Sequence, residues 1–267
     1  MSAIYPSLAN KIICITGGAE GIAAAAVELF CNQGSRVIFF DISNTSAETL
    51  IAKIQSKKDL EGANSRTRIP VFFRCDVTDL ASLRASAQHV LNEYGGVDVL
   101  VNSAASAGAS SRVPSAEVTP ESWEADMNVN LRHVFFLTQA IVPAMQRQRS
   151  GSVINMGSIT WRIPASGIPI YTAAKAAIMG LTRTHAKEFG PYGIRVNSVM
   201  PGAIATERQI NEVLTPEYRA EVMRNQSLQR DLMPREVASV ILFLASEDSS
   251  AVTGSSYVVD GGWVSDP

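Results

Sequence analysis

Cysteine is scarce in this chain of 267 residues. The three present, Cys14, Cys31 and Cys75, lie far apart, each inside an apolar run. An odd, scattered set excludes a disulfide framework and points to buried free thiols in a reducing compartment. Histidine is as sparse, with His89, His133 and His185 alone, and neither CxxC nor HxxxH occurs. No metal site is expected. An excess of one charge is also missing. The count of 23 Lys and Arg against 25 Asp and Glu gives a formal net charge of −2, which leaves no electrostatic footprint for nucleic acid or an anionic membrane. No apolar run approaches the ~18 residues that span a bilayer. The start, MSAIYPSLANK, lacks the basic and apolar regions of a signal peptide. The expectation is a soluble cytoplasmic protein. Apolar side chains are plentiful, 46% against 18% charged, which is enough for a substantial core.

Those apolar residues fall in short runs separated by helical patterns. Residues 11–16 (KIICIT), 36–40 (RVIFF), 69–75, 97–101, 152–156, 194–199 and 256–259 read as strands, mostly without polar alternation, and so buried on both faces. Helical patterns cover 24–34, 46–57, 80–94, 120–145, 171–189 and 236–245, with a charged helical region over 206–230. No linker or internal repeat interrupts them. Strands alternating with helices predict an α/β fold: a single Rossmann-type, doubly wound domain over residues 1–267, with a seven-stranded parallel sheet flanked by helices. In such sheets ligands lie beyond the carboxyl ends of the strands. The glycine turn, Asp41, Asp76, Asn102, Ser158 and Pro201-Gly202 all fall at such ends.

The densest chemistry lies in residues 154–175, INMGSITWRIPASGIPIYTAAK. Tyr171 and Lys175 are four apart in a helical pattern, so both side chains leave one face. A cation beside a phenol stabilises the phenolate and lowers its pKa from about 10. Ser158, at the end of the preceding strand, is placed to hold the oxygen that exchanges the proton.

The first forty residues run strand, glycine turn, helix, strand, acidic residue, which is the context of a dinucleotide site. Gly17 and Gly21 suit the turn, where backbone approaches a pyrophosphate at a helix N-terminus. Ile22 follows them, and Ala23 stands where a third glycine is usual. Asp41 is placed to accept from the hydroxyls of an adenosine ribose and to repel a 2′-phosphate. Glu20 adds a second negative charge, and Ile42 supplies no cation. NAD is therefore expected rather than NADP. Asp76 and Val77 suit the adenine edge, although Asp76 equally suits the cap of the helix near Leu80.

The motifs TGGAEGIA (16–23), CDV (75–77), NSAA (102–105), MNVNL with Asn130, Ser158, YTAAK (171–175), PGAIAT (201–206) and the terminal DGG together resemble the short-chain dehydrogenase/reductase family over nearly the whole chain. The resemblance implies a tetrad. Tyr171 would be the acid–base, Ser158 would hydrogen-bond the substrate oxygen, Lys175 would lower the Tyr171 pKa and bind the nicotinamide ribose, and Asn130 would hold a water behind Lys175. It also implies cofactor contacts at Asn102, Ala104, Pro201, Gly202, Ile204 and Thr206, and a homotetramer or homodimer built on the helices at 120–145 and 171–189. Two departures, Ser103 and Ala105 in the NSAA stretch and Ala23, bear on the strength of cofactor binding. An Asn in a helix also bends a chain or caps a neighbour.

Substrate walls in this family come from residues 106–114, the stretch between Ser158 and Tyr171, and the region after Gly202. Here they offer Thr160, Trp161, Arg162, Arg208 and Gln209. Trp161, Arg162 and Arg208 are either pocket groups or a core aromatic and surface charges. NVNLRH, GSITW, TERQ and GGW look similar to bacterial sugar 1-dehydrogenases of the family, which oxidise an aldose at its anomeric carbon to a lactone. Residues 206–233 are expected to form a lid. The alternatives are a ketone reductase of the same family and a dinucleotide-binding member without turnover.

Overall fold

The computed structural model describes residues 3–63, 65–106 and 111–264. Residues 107–110 of the expected substrate loop lie outside this set. Seven parallel strands, β1 (Ile12–Thr16), β2 (Arg36–Asp41), β3 (Val71–Arg74), β4 (Val99–Asn102), β5 (Gly151–Met156), β6 (Ile194–Pro201) and β7 (Ser256–Val259), form one sheet in the order β3-β2-β1-β4-β5-β6-β7. Around it lie α1 (Gly21–Asn32), α2 (Asn44–Glu61), α3 (Leu80–Tyr94), α4 (Pro120–Met127), α5 (His133–Gln148), α6 (Pro169–Phe189), α7 (Glu207–Glu212), α8 (Pro216–Asn225) and α9 (Pro234–Ala245). The expected sheet is therefore present, with some strand limits displaced by one or two residues.

Side-chain alternation explains the two cores. Ile13 and Ile15 of β1 join Phe39, Val101 and Ile154 against α1, α2 and α9. Cys14, between them, joins Ile38, Leu100 and Val153 against α3 and α5 on the other face. Both faces are covered, which is why the strands lack polar alternation. All three cysteines are buried and free. Among the described residues no helix is long and apolar enough to cross a membrane.

Helix limits follow local chemistry. The α2 helix starts at Asn44 because the Ser43 hydroxyl accepts from the Ser46 amide, and it runs to Gly62, whose φ is +76°. Asp79, not Asp76, caps α3, its carboxylate accepting from the Ala81 and Ser82 amides. The helix expected over 120–145 is interrupted by a π-turn at Asn128–Arg132, and α5 then continues to Gln148. The charged region after Thr206 is two short helices, each capped by a threonine, Thr206 and Thr215.

Candidate active site

A cavity of about 1340 Å³ opens along the carboxyl edge of the sheet, larger than a drug-sized ligand needs. Loops after β1, β2, β3, β4, β5 and β6 line it, with Trp263 after β7. Its β2 end and its β5 end carry different chemistry.

At the β2 end the turn after β1 is held by the Phe40 carbonyl, which accepts from the Gly17 and Gly18 amides at 2.8 and 3.2 Å. The Thr16 hydroxyl accepts from the Ser103 and Ala104 amides and so pins the loop after β4 against this turn. A side chain at Gly17, where φ is +67°, would lie 2.8 Å from the Ala104 Cα. Gly18 is as constrained, although the spacing of Gly17 and Gly21 does not single it out. Its Cβ would stand 2.5 Å from the Phe39 Cβ. Gly18→Ala should therefore destabilise the fold by about 1–3 kcal/mol, read from denaturant midpoints. An unchanged midpoint would show that the turn yields freely. Ala23 is buried in the contact between α1 and the sheet, so its methyl group is accommodated.

The first turn of α1 has no side-chain cap, which leaves its amides available to an anion. Asp41 is half-buried. Its Oδ2 accepts from the Ala19 amide and its Oδ1 from the Ser43 amide, both at 3.0 Å. Glu20 Oε1 accepts from the Ser46 hydroxyl at 2.6 Å. Asp41, Glu20 and Ile42 all face the cavity. Lys53 lines the same side, but Glu28 holds its ammonium at 2.7 Å. Asp76 and Val77 also line the cavity, with Asp76 Oδ1 accepting from the Thr78 amide and hydroxyl.

At the β5 end Ser158, Tyr171 and Lys175 line one wall. Lys175 is buried, donates from Nζ to the Met156 carbonyl at 2.8 Å and stands 5.5 Å from the centroid of the Tyr171 ring. Burial lowers its pKa to about 8. Burial also raises the Tyr171 phenol, against a hydrogen bond from Ser158 and the Arg208 cation, which pull it down. The Lys175 Nζ is turned to the face of the Tyr171 ring and to the Met156 carbonyl. A phenol, a hydroxyl and a buried ammonium meeting at one wall can exchange a proton with a bound alcohol or ketone.

Several expected residues fall elsewhere. Asn102 turns into the sheet, donating to Thr138 Oγ1 and Asn155 Oδ1, and does not line the cavity. Its register partner across β4 and β5 is Asn155, which accepts from its amide nitrogen, while the Asn102 Oδ1 is buried without a protein partner. Asn130 is fully buried in the π-turn and holds both backbone groups of Ser106. Trp161 and Arg162 do not line the cavity either. The short 3-10 turn at Ile159–Trp161 carries the indole away, and the Arg162 guanidinium lies over it at 5.8 Å. Thr160, Ile163, Pro164 and Ile168 form that wall instead. Ala104, Pro201, Gly202, Ile22, Ile204, Thr206, Arg208 and Gln209 do face the cavity. So do Arg112, Tyr218, Asn225 and Trp263, which lie within the expected wall, lid and GGW segments but are not singled out there.

The family model described as enoyl-(acyl carrier protein) reductase matches residues 17–264. The chain is 43% identical over 262 residues to D-xylose 1-dehydrogenase of Caulobacter vibrioides, covering 98% of this chain and 99% of that one. It is 40% identical over 261 residues to a probable galactose dehydrogenase of Rhizobium meliloti, covering 98% of each. A 3-oxoacyl-[acyl-carrier protein] reductase of Brucella melitensis, solved with bound NAD, superimposes with a TM-score of 0.85 at 31% identity, over 98% of this chain and 94% of that one. Shared sequence and shared architecture over nearly the full length place this chain in the short-chain dehydrogenase/reductase family of nicotinamide-dinucleotide oxidoreductases.

Proposed function

We propose that the protein is an NAD-dependent dehydrogenase that oxidises an aldose at its anomeric carbon to the lactone. The observation that carries this reading is one cavity joining a doubly acidic ribose-binding end to a Ser158–Tyr171–Lys175 wall, roofed by the polar groups Arg208, Gln209, Tyr218 and Asn225. Sugar dehydrogenases among the relatives support it. Gly17, Gly21 and the first turn of α1 would hold the pyrophosphate. Asp41 and Glu20 would take the adenosine ribose and exclude a 2′-phosphate. The bound nicotinamide would supply a hydride acceptor. Ser158 then holds the anomeric hydroxyl, Tyr171 takes its proton, and Lys175 binds the nicotinamide ribose and holds positive charge beside the phenol. Asn130 keeps the start of the loop after β4 in place through Ser106. Residues 206–233 act as the lid, and the whole chain works as one domain. The partly exposed apolar strip of Leu131 in the π-turn, Phe135 on α5, and Ala177 and Leu181 on α6 would be the contact between copies in a tetramer or dimer.

A second reading has its own observation. The wall between Ser158 and Tyr171 is mostly apolar, with Ile163, Pro164, Ala165 and Ile168 beside Thr160 and Ser166 rather than Trp161 and Arg162, which suits an apolar chain and a reductase. The discriminating experiment is a screen of NADH and NADPH absorbance over aldoses, polyols, cyclic ketones and 3-oxoacyl thioesters. Turnover of aldoses with NAD is the expected result. Preference for thioesters supports the reductase, and binding of NAD without any turnover removes both.

A further inference from the structure

The stretch NVNLRH ends in a buried base that none of these roles uses. His133 opens α5 directly after the π-turn, three residues past Asn130, and has no exposed surface. The Val129 carbonyl, one turn back, is the acceptor within reach of one ring nitrogen, in strained geometry, and the other nitrogen meets no protein partner. A buried polar atom left unpaired is costly, and a leucine would fill similar space without one. Burial drives the imidazole down to about 3, and the positive charge of Lys175 pushes the same way while the Val129 carbonyl opposes. The ring is therefore neutral at ordinary pH, with a lone pair on one nitrogen. The Lys175 ammonium on α6 and the Val129 carbonyl in the π-turn both act on it.

Lys175 has the complementary need. An ammonium offers three N–H donors, Lys175 is 3% exposed, and Met156 O is the acceptor it meets among the described residues. The helix that carries it, α6, packs on the π-turn that leads into His133.

We propose that His133 is a positioning residue for Lys175: its neutral imidazole accepts a hydrogen bond from a buried water, and that water accepts one from the Lys175 ammonium. The bridge gives the unpaired imidazole nitrogen a donor and the ammonium a second acceptor, and it keeps the ammonium charged in a site whose burial works against charge. Its relevance to turnover rests on the role proposed above for Lys175, but the bridge itself is independent of the substrate.

The test is the Lys175 titration, followed by NMR of protein carrying ¹³Cε-labelled lysine, with the resonance assigned through Lys175→Arg. Removing an acceptor from the ammonium favours the neutral amine, so His133→Leu should lower the Lys175 pKa by about one unit, since hydrogen bonds to charged groups are the strong ones. His133→Gln, which accepts a hydrogen bond without titrating, should stay near wild type. In turnover assays the alkaline limb of the pH–rate profile should move down with the Leu variant and not with the Gln variant. His133→Met replaces His133→Leu if the latter does not fold. A folded Leu or Met variant with an unchanged Lys175 titration overturns the proposal, as does a Gln variant that shifts as far as Leu. A wild-type protein without turnover would sink the proposed reaction and leave this titration readable.

Discussion

Tyr171→Phe is expected to lower kcat for alcohol oxidation by about 10³-fold, within the range for loss of a general base, while the dinucleotide binds nearly as before. The phenol ring, which Lys175 packs against, is kept, and only the hydroxyl is lost. Steady-state kinetics and dinucleotide fluorescence titration separate the two effects. A Phe variant with more than a tenth of wild-type kcat would remove Tyr171 from the chemistry. The pH dependence has a definite sign. Alcohol oxidation needs the phenolate, and burial raises the Tyr171 pKa, so the rate should climb with pH until the base is formed. Loss of the Lys175 charge at high pH removes the cation beside the phenol, so the rate should fall again at the alkaline end. Arg208 and Ser158 pull the phenol down, so Arg208→Gln should move the acid limb upward.

Asp41→Asn should change the ratio of kcat/KM for NADP over NAD in favour of NADP by on the order of 10²-fold, because a like charge placed against a phosphate costs several kcal/mol. The asparagine keeps one acceptor for the Ala19 and Ser43 amides that now bind the carboxylate, so the effect reports charge rather than collapse of the turn. Glu20→Gln added to it should extend the change, since Glu20 is held in the same cavity by Ser46. Cofactor kinetics on the two variants decide the matter. An unchanged ratio in the double variant would mean that neither carboxylate governs the choice.

The sequence by itself determined the sheet and most of the β2 end of the cavity. Those depend on near neighbours in the chain: an apolar run makes a buried strand, a glycine makes the turn after it, and Asp41 follows β2 at a fixed place whatever the rest of the fold does. Tyr171 and Lys175 were legible for the same reason, since one helix sets their spacing. Tertiary structure decided everything that depends on which way a side chain turns where distant segments meet. Asn102 stands at the expected strand end but satisfies Asn155 and Thr138 instead of facing the cavity. Trp161 and Arg162 lie between two catalytic candidates, yet a single 3-10 turn carries them off the wall. Trp263 reaches the cavity from the far end of the chain because the Asp260 carboxylate accepts from the Gly262 and Val264 amides and fixes the turn that carries it. His133 meets the field of Lys175 across two helices. Local patterns specify elements and their ends, whereas the walls of a cavity are set by packing between elements, and the spacing within any one element does not encode that.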